Sequence, residues 1–271
     1  MFRIALAALL SITFLPNITH ANEVNISGST SVARIMDVLA EEFNRTNPDS
    51  FIAVQGVGST AGLTLLDKGA IEIGMSSRYL TEGEQNEDLT VLPIAFDGLA
   101  VVVNNANSIE NITREQLYDI YKGNVTNWKS LGGTDQEIAV VTREASSGTR
   151  YSFESLLGLT KIVNKRLVSD ISSSNLVVNS NSMVKTIVNH NKQAIGFISV
   201  GSVDKSVKAL QFEGSRPTSN NIALGKYALS RPFLVVYHQE TVSDQGRGFL
   251  NYIKTEAAKS LIKEYGYTPV K

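Results

Sequence analysis

Between Val24 and Met75, short apolar runs alternate with helix-spaced apolar positions, and this alternation constrains the fold more than any other feature of the chain. Val24 to Ile26 reads as a strand. Val32, Ile35, Met36, Leu39, Ala40 and Phe43 then recur at helical spacing until Asn47-Pro48 stops the pattern. Phe51 to Gln55 is a second strand, Leu63, Leu65 and Leu66 mark a second helix closed by Lys68-Gly69, and Ile71 to Met75 is a third strand. A βαβαβ order predicts a parallel sheet flanked by helices, with ligands gathering at the carboxyl ends of the strands.

Three Gly/Ser/Thr clusters stand where helices should begin: Gly28-Ser29-Thr30-Ser31, Gly58-Ser59-Thr60 and Ser146-Ser147-Gly148-Thr149. The first turn of a helix has amides without internal acceptors and the positive end of the dipole, so it welcomes an oxyanion. Hydroxyls add donors, and Arg143, just upstream of the third cluster, adds a planar fork that matches phosphate. Any one such cluster is most often only a helix cap. Three of them with an arginine point to one site for a small tetrahedral oxyanion.

A second pass along the chain gives Val101 to Val103 as a strand leading to a crossover, a helix capped by Thr113, a strand from Ile138 to Thr142, and a helix from Ser147 to Leu157 with Tyr151, Phe153, Leu156 and Leu157 inward. Ser180 to His190 reads as a helix, Ala194 to Val200 and Val207 to Phe212 as strands. Tyr227 to Tyr237 reads as the return crossover, interrupted at Arg231-Pro232. Closing helices carry Phe249, Tyr252 and Ile253, then Leu261 and Ile262. The expected organisation is a first lobe of residues 22–103 plus 230–271 and a second of 104–229. Asn104, Asn105 and the stretch from Leu229 to Pro232 are the candidate hinges, and the ligand lies between lobes that close on it.

The first residues, Met1 to Ala21, join one basic residue, Arg3, to an apolar run from Ile4 to Leu15 and a Thr19-His20-Ala21 end, the pattern of a cleaved secretory signal. There is no cysteine, which removes disulfides, thiolate nucleophiles, a lipid anchor and most zinc chemistry. With 25 basic and 26 acidic residues, the basic ones scattered, the chain has no nucleic-acid footprint. No metal or cofactor spacing emerges. Outside the signal only His190 and His238 could serve as histidine bases, and neither lies in a motif.

The ordered set Gly28-Ser29-Thr30-Ser31, Gly56 to Gly62, Ile73-Gly74-Met75-Ser76-Ser77-Arg78 and Arg143 to Arg150, with Ala194-Ile195-Gly196-Phe197, resembles the periplasmic phosphate-binding proteins of Pst-type ABC transporters over essentially all of residues 22–271. The resemblance implies an α/β, two-lobed, type II periplasmic-binding-protein fold, each lobe a mixed sheet flanked by helices. It further implies a non-enzymatic, monomeric periplasmic receptor that passes inorganic phosphate to an inner-membrane ABC permease. Carried over by position, Thr30, Ser31, Ser59, Ser77, Ser147, Gly148 and Thr149 would bind phosphate with amides and hydroxyls, and Arg143 would clamp it. Better-known members have an aspartate where this chain has Ser77, accepting a proton from phosphate and helping reject sulfate. They also often carry an acid where this chain has Ala145. Asp97 or Glu144 is the candidate replacement acceptor. Arg78 is a candidate second clamp or interlobe ion pair. The alternatives are a receptor for another tetrahedral oxyanion, such as sulfate, molybdate or a phosphonate, and, from a different class, a secreted phosphohydrolase.

Overall fold

The computed structural model describes residues 22–270, so the expected signal segment lies outside the described residues. The chain opens as β1 (Asn22–Gly28), α1 (Thr30–Thr46), β2 (Ser50–Gly56), α2 (Ser59–Asp67) and β3 (Ile73–Ser76). β1 pairs in parallel with β2 on one side and β3 on the other, as the alternation requires. α1 starts where the Ser29 hydroxyl accepts from the amides of Ser31 and Val32, and it buries the apolar face from Val32 to Phe43. It stops at Asn47, before Pro48, which disfavours helical geometry in its predecessor.

β4 (Leu89–Val103) is a single 15-residue strand. Then come β5 (Asn111–Ile112), α3 (Arg114–Lys122), β6 (Ala139–Arg143), α4 (Gly148–Leu157), the hairpin β7 (Thr160–Val163) and β8 (Arg166–Ser169), β9 (Leu176–Val178), α5 (Asn181–His190) and β10 (Ala194–Ser199). The chain returns through β11 (Lys208–Ala209), β12 (Gln211–Phe212), α6 (Ser219–Ala223) and β13 (Ser230–His238), and ends in α7 (Asp244–Ile253), α8 (Glu256–Glu264) and β14 (Thr268–Pro269). The main sheet runs β2-β1-β3-β13-β4-β10-β6-β9, with β13 antiparallel to both β3 and β4. It is the mixed α/β architecture expected from the sequence.

β4 changes partner in mid-strand. Residues up to Gly98 pair with β13, and Leu99 onward pairs with β10. Residues 99–103 belong to the second half because their alternating faces enter two different apolar clusters there, Leu99, Val101 and Val103 one, Ala100 and Val102 the other. The first core joins α1 to α7 and α8, with the Phe43 and Phe249 rings 5.4 Å apart. The change therefore falls five residues before the 103/104 boundary read from the sequence. Asn104 and Asn105 are tied to carbonyls of Val188, Asn189 and Lys205, all within the second half.

Arg231-Pro232 does not interrupt β13. Pro232 is tolerated because β3 pairs with β13 only from Leu234 onward, so the strand is flanked on one side there. The first twelve residues of β4 escape a periodicity reading because Pro93 and Asp97 break the apolar run, and Val207 to Phe212 splits at Leu210 into β11 and β12. Tyr151, expected inward, is 37% exposed and lies over the Arg78 guanidinium, which holds the ring at the surface between the halves.

Candidate functional site

The three predicted clusters meet. The N-termini of α1 and α2 in the first half and of α4 in the second converge, and side chains from both halves touch. Ser31 Oγ lies 3.0 Å from Thr149 Oγ1, and Arg143 Nη2 donates to Thr30 Oγ1 across 3.2 Å. Ser59 Oγ accepts the Ser77 amide at 3.2 Å, and Ser152 Oγ donates to the Ser77 carbonyl. The Thr60 amide reaches the Ser146 carbonyl at 3.2 Å. Gly148 and Thr149 head α4, where helix geometry gives their amides no internal acceptor.

Gly148 is required by close approach. A Cβ there would collide with Ser59 Oγ and stand 2.7 Å from Ser77 Oγ. Gly58 faces the same seam with φ +97°, and a Cβ would be 2.6 Å from Ser146 Oγ. Gly148→Ala is therefore expected to hold the two halves apart while leaving each core intact. Small-angle scattering at saturating phosphate should show a larger radius of gyration than the parent protein, with the melting temperature little changed.

Arg143 is fully buried and held from every side. Its Nε and Nη2 donate to the two Glu144 carboxylate oxygens, both at 3.0 Å, Nη1 to Asn181 Oδ1 and Nη2 also to the Asn179 carbonyl. Ser147, among the predicted binding hydroxyls, accepts the Arg150 amide as the N-cap of α4. Arg78 forks onto Glu84 and reaches Thr60 Oγ1, so its ion pair stays within the first half.

Arg231 is the residue that sequence reasoning missed. It is opposite Asp97 in the β13/β4 register, where β4 is about to change partner. Nε and Nη2 donate to Asp97 Oδ2 at 3.1 and 2.9 Å, Nη1 to Ser77 Oγ at 3.1 Å and Nη2 to Ser31 Oγ at 3.0 Å. Asp97 Oδ1 accepts from Ser199 Oγ at 3.0 Å. Burial pushes the Asp97 carboxyl up from the usual range, opposed by Arg231 and the Ser199 hydroxyl, and burial likewise lowers the Arg231 guanidinium, opposed by Asp97. Asn181 was missed as well. Its Nδ2 donates to Ser31 Oγ at 2.9 Å. A signal for Arg231 did exist: Asp97 and Arg231 are lone opposite charges in two apolar runs, and a buried charge requires a partner.

A model of the PBP superfamily domain matches residues 16–256. The phosphate-binding protein PstS of Bacillus subtilis is 32% identical over 257 residues, covering 92% of this chain and 81% of its own. This chain belongs to the PstS family. The phosphate-binding protein PstS of Borreliella burgdorferi is 28% identical, covering 99% of this chain and 98% of its own. Two solved structures extend the family likeness. An ABC-type phosphate transport receptor from Vibrio cholerae is 64% identical with a TM-score of 0.77, covering 90% of this chain and 99% of its own. A putative phosphate ABC transporter substrate-binding protein from Clostridium perfringens, solved with bound phosphate, is 37% identical with a TM-score of 0.86, covering 92% and 100%. The phosphate-bound structure superposes better although its sequence is more distant.

Proposed function

We propose that this chain is an exported receptor that binds inorganic phosphate where the α1, α2 and α4 N-termini meet and hands it, as a monomer in the periplasm, to an ABC permease of the inner membrane. The observation that carries the reading is the convergence from both halves of Thr30, Ser31, Ser59, Ser77, Gly148 and Thr149 beside the buried Arg143. Ser147 supports it by capping α4. Asp97 takes the role of counter-charge to Arg231 rather than of a proton acceptor, since its two oxygens are engaged by Ser199 and Arg231. The working lobes are 22–98 plus 230–271 and 99–229, following the partner change in β4, with the hinge in the two crossing strands.

Each arginine near the cluster already has a carboxylate, so bound phosphate is stabilised by hydroxyls, first-turn amides and helix dipoles together with Arg143, whose Nη1 donates to Asn181 and keeps a second hydrogen for the ligand. Binding at micromolar Kd or tighter corresponds to about −8 kcal/mol or better. Desolvated charge-assisted bonds of roughly 1.5–3 kcal/mol each supply that comfortably before ordering costs. The reading of another oxyanion receptor draws on Ser77, whose hydroxyl faces Arg231 where better-known members have a carboxylate. The phosphohydrolase reading draws nothing from the cluster, since His190 bonds the Thr186 carbonyl of its own helix.

Isothermal titration of the ligand-stripped protein with phosphate and then sulfate tests the proposal. Saturable phosphate binding at one site, with sulfate much weaker, is the expected result. Sulfate binding as tight as phosphate would change the ligand, and silence toward both would remove the site.

A further inference from the structure

We infer that Arg231 is a positioning residue that fixes the direction in which Ser31 and Ser77 donate, so that the cluster takes phosphate as its dianion; this rests on the phosphate reading above. A hydroxyl has one proton and two acceptor positions. Ser31 Oγ accepts from Asn181 Nδ2 at 2.9 Å and from Arg231 Nη2 at 3.0 Å, which uses both positions. The Asn181 amide is oriented by its oxygen, which accepts from Arg143 Nη1 and the Ser199 amide, two groups that only donate. The Ser31 proton therefore points to Thr149 Oγ1, and Thr149, accepting there, keeps its own proton to donate. Ser77 Oγ accepts from Arg231 Nη1, a cationic donor that leaves its own O–H polarised to donate.

Arg231 itself touches no ligand position, because its donors are spent on Asp97, Ser77 and Ser31. It acts through the two serines.

The charged groups around the cluster come in pairs. Asp97 of β4 holds Arg231 of β13, and Glu144 after β6 holds Arg143. Glu84 holds Arg78 after β3, and within α4 Glu154 holds Arg150. Among the described residues, each of these four carboxylates is committed to a guanidinium. A ligand proton then has only neutral hydroxyl oxygens to bond. Monohydrogen phosphate brings one such proton and dihydrogen phosphate two, and a buried donor with no good acceptor weakens binding by about ten- to a hundredfold.

The test is phosphate titration calorimetry on the full mature protein at pH 5.5 and pH 8, each in two buffers of different ionisation enthalpy, which counts protons exchanged on binding. At pH 5.5 free phosphate is mostly the monoanion, so binding as the dianion must release about one proton per phosphate, and affinity should be about tenfold or more weaker than at pH 8. Heat of binding with no proton release at pH 5.5 would overturn the inference and leave the phosphate reading standing. Absence of binding at both pH values would end both. Arg231→Lys keeps a cation opposite Asp97 but cannot reach both serines. In that variant, with its melting temperature checked, the release at pH 5.5 should shrink and the two affinities should converge. Unchanged release would show that Arg231 does not set the donor direction.

Discussion

Arg143→Ala is expected to weaken phosphate binding by about a hundredfold or more, the loss of one to two charge-assisted hydrogen bonds in a buried site. The expectation follows from how the guanidinium is placed. It is fully buried, forks onto Glu144 and crosses from β6 to Thr30 at the head of α1, so it joins the two halves at the anion. Removing it subtracts donors and also leaves the Glu144 carboxylate uncompensated beside a dianion. The second effect is separable. Arg143→Ala combined with Glu144→Gln should recover part of the lost affinity, because the double variant removes the repulsion but not the missing donors. Titration calorimetry of the parent protein and these two variants reads both terms. A loss below about threefold for Arg143→Ala would take the arginine out of the binding site.

The largest effect on stability is expected from Asp97→Ala. Asp97 and Arg231 are 1% and 3% exposed, and breaking such a pair strands the remaining charge in a low-dielectric interior, at a cost of about 3–5 kcal/mol. For a chain of this size that lowers the melting temperature by roughly 10 °C. Replacing both partners, Asp97→Asn with Arg231→Met, should cost less than Asp97→Ala alone, since no buried charge is left unpaired. Thermal denaturation followed by circular dichroism distinguishes the cases. If the double variant is less stable than the single, the pair contributes net stability of its own and the stranded-charge account is wrong.

Much of the fold was legible because it is encoded within a few residues. Ser29, Thr113 and Ser180 cap α1, α3 and α5, each by accepting first-turn amides, and the apolar spacing from Val32 to Phe43 defines the buried face of α1. β4 was seen only from Val101, because a strand that changes partner at Leu99 keeps neither one apolar face nor one neighbour along its length. The donors of the candidate site were legible for the same local reason as the caps. Thr30, Ser59 and Thr149 stand in the first turns of helices, where the sequence alone puts free amides.

Arg231 showed in the sequence only as a lone charge in an apolar run, with nothing local to name its role, since its partners Ser31 and Ser77 lie 200 and 154 residues away. The sequence by itself determined the longer helices and most of the longer strands, with an inventory of hydroxyls at helix starts, because capping and periodicity act over a single turn; the short β5, β7, β8, β9, α6 and β14 and the first part of β4 have too few residues on one face to show. Only the tertiary structure decided that α1, α2 and α4 meet at one point, that Asp97 is spent on Arg231, and which way the serine hydroxyls donate. A hydroxyl can serve as donor or acceptor until its neighbours are fixed, and here the long-range register of β4 and β13 fixes them.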